Sequence, residues 1–109
     1  MNLDIETEHV AMTPEWHRMI DDWVTLCRRR HPHVGALELT LRHGNERVAS
    51  EQVEAVACTG PRNVRAHAQA KVMGVALGDA LENLERELCV CDAVEQHGRG
   101  RAVRGSPPS

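Results

Sequence analysis

Ala36-Leu37-Glu38-Leu39-Thr40-Leu41-Arg42 places a leucine at every second position and polar side chains between them. Period two is the spacing of a β-strand, whose successive side chains point to opposite faces, so this segment reads as a strand with one buried and one solvated face. Three other segments share the pattern. Leu3-Asp4-Ile5-Glu6-Thr7-Glu8 alternates apolar or small with acidic residues, and Val64-Arg65-Ala66-His67-Ala68-Gln69-Ala70-Lys71 alternates small apolar with polar ones. Glu51 to Cys58 is weaker, with Val53, Ala55 and Ala57 on one side. A sheet built from such strands is covered on one face and wet on the other.

Between the first two strands, Thr13-Pro14-Glu15 supplies an N-cap, a proline suited to the first helical position and an acid for the positive end of the dipole. The helix that follows carries Trp16, Ile20, Trp23 and Cys27 as an apolar stripe and ends near Arg30, because Pro32 cannot continue it. His43-Gly44-Asn45-Glu46-Arg47 reads as a loop, and Thr59-Gly60-Pro61-Arg62-Asn63 as a turn. A last helix, from about Met73 to Ala93, repeats the stripe spacing with Leu77, Leu81, Leu84 and Leu88. Gly74 and Gly78 each cost it about 1 kcal/mol of helix propensity, which suggests room made for Trp16 or Trp23. From Gly98 onward no periodicity remains, and residues 95–109 are expected to form a flexible basic tail after a domain spanning 1–94.

The element order β-α-β-β-β-α predicts an α+β fold in which a four-stranded sheet in order 1-2-3-4 carries both helices on one face. A chain of 109 residues supports one such domain. No apolar run approaches the roughly 20 residues of a bilayer span, so no membrane partner is expected. The segment from Met1 to Glu6 has neither the basic nor the apolar region of a secretory signal, which makes a cytoplasmic location and free thiols the expectation for Cys27, Cys58, Cys89 and Cys91.

Chemistry-bearing motifs are sparse. There is no glycine-rich phosphate loop after a strand, no nucleophile elbow and no histidine at a recognisable catalytic spacing, so an enzyme with a small-molecule substrate or a cofactor is not expected. The formal charge of −3 gives no overall attraction for nucleic acid, and with only Trp16 and Trp23 as aromatics a base-stacking platform is not expected. Any RNA contact must be made by local basic clusters on backbone and shape.

The element order and several local motifs resemble the ribosome hibernation-promoting factor family, over residues 2 to 92. The resemblance rests on His9-Val10-Ala11-Met12-Thr13-Pro14, on Arg28-Arg29-Arg30, on Val75-Ala76-Leu77 and Asp79-Ala80-Leu81, and above all on Leu84-Glu85-Arg86-Glu87-Leu88. It implies a short-form translation inhibitor that occupies the decoding region of the small ribosomal subunit, touches 16S rRNA, excludes tRNA and mRNA, and is a monomer on the ribosome. At matching positions it carries over Arg29 and Arg86, while Arg18, Arg28 and Arg30 lie beside family basic positions. Departures thin the charge: Trp23, Leu26, Asn83, Val90 and Val94 stand where the family usually has a basic residue, and Gly74 where it has Tyr.

Each candidate also has a plainer reading. Arg28, Arg29 and Arg30 at a helix C-terminus stabilise the dipole by a few tenths to about 1 kcal/mol without any ligand. Taken with the resemblance and with Arg99, Arg101 and Arg104, phosphate contact is the preferred reading. Arg65, His67 and Lys71 extend the basic surface from strand 4 or are ordinary solvated residues. Arg86 sits among Glu82, Glu85 and Glu87, where a local ion pair competes. Cys27, His31, His33, Cys89 and Cys91 gather at the ends of two parallel helices, yet their spacing fits no standard zinc motif and Cys27 falls on a buried stripe. The expectation is therefore a reduced protein with no stoichiometric zinc. The rival functions are a protein-interaction module of the same fold and a thiol or metal sensor.

Overall fold

A computed structural model describes residues 1–44 and 50–103, with side chains described as far as residue 93. The elements are β1 (Asn2–Glu8), α1 (Pro14–Arg30), β2 (Ala36–Arg42), β3 (Glu51–Cys58), β4 (Asn63–Ala70) and α2 (Met73–Val103). They form one sheet in the order β1-β2-β3-β4. β1 and β2 pair in parallel through the α1 crossover, and the other two pairings are antiparallel. The fold is the expected α+β arrangement, element for element.

Local chemistry sets the boundaries. The Thr13 hydroxyl accepts the Trp16 N–H at 3.2 Å, which satisfies one donor of the open first turn, and Pro14 begins the helix. At the other end His31 is the C-cap, its N–H donating to the Cys27 carbonyl at 2.7 Å, and Pro32 follows. Gly60 has φ of +90°, the left-handed region that glycine enters without a Cβ penalty, in the turn closed by Thr59 N–H on the Arg62 carbonyl. His9 holds a φ of +59° as β1 turns toward α1.

The core lies between the helices and one sheet face. Leu37, Leu39 and Leu41 of β2 are fully buried, as are Val53, Ala55 and Ala57 of β3 and the α2 residues Leu77, Leu84 and Leu88. Gly74 faces Trp16, Gly78 faces Met19, and Glu85 meets Arg30 and His31, so α1 and α2 run side by side in the same direction. That pairing corrects two expectations. The buried stripe of α1 is Ile20, Val24 and Cys27, while Trp16 and Trp23 are only half-buried because their side of the helix is turned along α2 instead of onto the sheet. The glycines accommodate Trp16 and Met19, not Trp23.

One exposure and two boundaries also differ. Edge strand β1 leaves Leu3 39% exposed, though its register with Leu37 puts it on the expected face. β4 ends at Ala70, so Lys71 lies just beyond the sheet. α2 runs through Val103 instead of ending near Ala93. Gly98 and Gly100 weaken a helix without breaking it, and the first proline is Pro107, so nothing in the sequence stops the helix at residue 93. Residues 104–109, and the loop positions Asn45, Glu46 and Arg47, lie outside the described residues. No helix among the described residues is long and apolar enough to cross a membrane.

Candidate functional site

Two surfaces carry the polar chemistry: the open face of the sheet, and the seam where the C-terminal half of α1 meets α2. Strand register fixes the open face row by row. Asp4, Glu38, Val56 and Arg65 are neighbours in one row, Glu6, Thr40, Glu54 and His67 in the next, and Glu8, Arg42, Gln52 and Gln69 in the third. The face grades from acidic at β1 to basic or neutral at β4. Arg42, not singled out from the sequence, donates to Glu8 at 3.0 Å and so neutralises one corner of the acidic edge. Its own alternation within β2 was signal enough to place it there.

The candidate basic residues do not form one patch. Arg28 and Arg29 are exposed in the last turn of α1 and make no ion pair among the described residues, and Arg18 is exposed two turns and more before them. Arg30 lies 3.5 Å from Glu85, and Arg86 lies 3.9 Å from Glu82. These two arginines share a groove of about 390 Å³ with Met19, Trp23 and Leu81. Arg65 and His67 are exposed on β4, on the sheet face away from the helices. Arg65 is near the end of the sheet that follows Arg28–Arg30 in the chain, whereas Lys71, after the far end of β4, is at the opposite end.

The seam holds the densest cluster. His31, 3% exposed, is the single buried polar residue among those described. Its Nδ1 is 2.7 Å from Asp92 Oδ2, and its Nε2 is 3.1 and 3.2 Å from the two Glu85 oxygens. His33 Nε2 lies 2.9 Å from the other Asp92 oxygen, and the Cys89 thiol donates to Glu85 at 3.3 Å. Of the residues suggested by the sequence, His31, His33 and Cys89 are brought together. Cys27 and Cys91 pack on the core instead. All four cysteines are free thiols. Glu85 and Asp92 were not suggested, although their spacing with Cys89, i, i+4 and i+7 on one helix, puts all three on the face turned to α1.

The environment acts on these groups in opposing directions. Burial first, then the Glu85 and Asp92 charges, push the Cys27 thiol up to about 11. The Cys89 thiol is also raised, by its hydrogen bond to Glu85 and then by burial. For Glu85, burial is the largest influence and favours the protonated form. Hydrogen bonds from His31 and Cys89, with the charges of His31 and Arg30, together outweigh it and hold the carboxyl below its ordinary value.

No family model matches the sequence, and no curated protein matches it. Solved structures do match. A ribosomal subunit interface protein from Coxiella burnetii superposes with a TM-score of 0.74 at 14% identity, over 85% of this chain and 99% of that one. The Thermus thermophilus Protein Y N-terminal domain superposes with a TM-score of 0.67 at 13% identity, over 81% of this chain and 96% of that one. Both neighbours are of the hibernation-promoting factor family, so the fold implied by the motifs of the sequence is the fold that this chain adopts.

Proposed function

We propose that this chain is a ribosome-associated translation inhibitor, which binds the decoding region of the small subunit and excludes tRNA and mRNA by bulk. The observation that supports it most is the near-complete overlap with a ribosomal subunit interface protein, 99% of whose length is matched. Its binding energy comes from arginines neutralising rRNA phosphates, so no bond is made or broken and no cofactor takes part. The charge gradient of the open face sets the orientation: phosphates are repelled from Asp4 and Glu6 and drawn to the β4 side and to the exposed arginines of α1. Arg28, Arg29 and Arg65, near one end of the domain, are the principal contacts; Arg18, Arg30, His67, Lys71 and Arg86 are secondary.

Exclusion is tested by displacement. Labelled tRNA held on purified 30S subunits with mRNA should be released as the protein is added, and the release should follow occupancy of the subunit. Full occupancy with tRNA retained would place the contact away from the decoding region and overturn this reading.

A further inference from the structure

None of the principal rRNA contacts proposed above belongs to the His31 cluster, which gathers nitrogen, oxygen and sulfur donors around one buried imidazole. A neutral imidazole carries one N–H and one lone pair. Here both ring nitrogens face carboxylates, Nδ1 toward Asp92 at 2.7 Å and Nε2 toward Glu85 at 3.1 Å. In the tautomer whose Nδ1–H donates to Asp92, Nε2 presents its lone pair beside Glu85 and Cys89, as a metal-bound histidine does.

We propose that His31 Nε2, a Glu85 carboxylate oxygen and Cys89 Sγ bind a single zinc ion. The three donors lie within 4.8 Å of one another. Tetrahedral zinc bonds of about 2.0 Å to nitrogen and oxygen and about 2.3 Å to sulfur imply ligand-to-ligand edges of about 3.3 Å and 3.5 Å. The observed nitrogen-to-oxygen and sulfur-to-oxygen separations are 3.1 and 3.3 Å, within a few tenths of an ångström of those edges, and the remaining nitrogen-to-sulfur edge is no longer than 4.8 Å. A sulfur, nitrogen and oxygen donor set suits zinc and not the oxygen-seeking magnesium or calcium.

The supporting groups are those that metal-bound histidines commonly have. Asp92 accepts Nδ1–H and fixes the tautomer and the ring orientation, and His33 holds the other Asp92 oxygen at 2.9 Å. The ligands also come from well-anchored places: His31 is the C-cap before Pro32, and Glu85 and Cys89 are one turn apart on α2. Binding displaces the thiol proton to solvent, after which thiolate and carboxylate balance the charge of the ion. Cys89 is exposed, which provides an entry path and leaves the fourth position to water. The ion would staple α1 to α2. The proposal runs against the expectation of a zinc-free protein, which rests on a sequence spacing without Glu85 and Asp92.

The test uses the full chain, freed of metal by chelator and then loaded with zinc or with cobalt as a spectroscopic probe. One zinc per chain should survive gel filtration, and cobalt should give a thiolate charge-transfer band together with tetrahedral d–d absorption. Cys89→Ser, at an exposed position that leaves the fold intact, should abolish the charge-transfer band and weaken zinc at least about 100-fold. Asp92→Asn should weaken it about 10–100-fold. Substoichiometric zinc with no cobalt band in folded protein would overturn the proposal. Zinc retained undiminished by both Cys89→Ser and His31→Gln would overturn it equally.

Discussion

Replacing His31 with leucine removes the ring that joins α1 to Glu85 and Asp92, and the structure gives the size of the loss. In metal-free protein two charge-assisted contacts disappear, each worth about 1.5–3 kcal/mol when well formed. Neither acid is left deeply buried: the side chains of Glu85 and Asp92 are 24% and 28% exposed. Arg30 remains at 3.5 Å from one and His33 at 2.9 Å from the other, so water and these side chains recover part of the loss. Leucine also fills the buried space with apolar surface. The net destabilisation should be about 2 kcal/mol, which for a domain of this size lowers Tm by roughly 8–16 °C. Urea unfolding in the presence of chelator measures it, with Glu85→Gln and the double variant completing a thermodynamic cycle. A coupling energy under about 0.5 kcal/mol, or a variant as stable as the parent, would refute the reasoning that this cluster anchors the helix pair.

Gly78→Ala should raise stability by about 1 kcal/mol, because the added Cβ meets only Met19 Sδ, at 4.0 Å, and the helix gains propensity; thermal unfolding reads it. With a pKa of about 11 against an ordinary 9.0, Cys27 carries about 100-fold less thiolate at pH 8 than an unperturbed thiol, so iodoacetamide with peptide mapping should modify it last. The Glu85 carboxyl is held below its usual 4.5, so in chelator its contribution to stability is complete above pH 4.5 and is lost as pH falls below that; Glu85→Gln should remove this part of the acid transition. Charge reversal at Arg65 and Lys71 should weaken ribosome association, with the larger share from Arg65, while Glu6→Gln with Glu8→Gln should leave it unchanged or slightly stronger, as read by pelleting with subunits.

The architecture was legible because every strand keeps period two and each helix keeps a stripe, and these patterns leave only one face of the sheet to cover. The exceptions were made by neighbours. Whether Trp23 or Val24 is buried depends on α2 lying beside α1, which no window of sequence contains, and Val56 is buried on the open face between Glu38 and Arg65 by cross-strand partners. The end of α2 differs for another reason: the apolar stripe fades after Leu88 but the helix does not, and no proline comes between Leu88 and Pro107 to forbid the helical backbone. The gathering of His31, His33 and Cys89 is legible in the sequence because a parallel helix pair brings its two C-terminal ends together. Glu85 and Asp92 were hidden because acids on a charged helix read as solvated surface until the C-cap of the other helix is placed against them.

Equilibrium co-sedimentation with purified 30S subunits, between about 50 and 200 mM monovalent salt, tests the central claim most directly. Neutralisation of rRNA phosphates releases counterions, so log affinity should fall linearly with log salt, by roughly 0.7–0.9 per phosphate contacted. Substituting Arg28, Arg29 and Arg30 together with glutamine should lower that slope by up to about 2–3. Absence of the protein from the 30S pellet at the lowest salt, or an association insensitive to salt and to the triple substitution, would contradict the account.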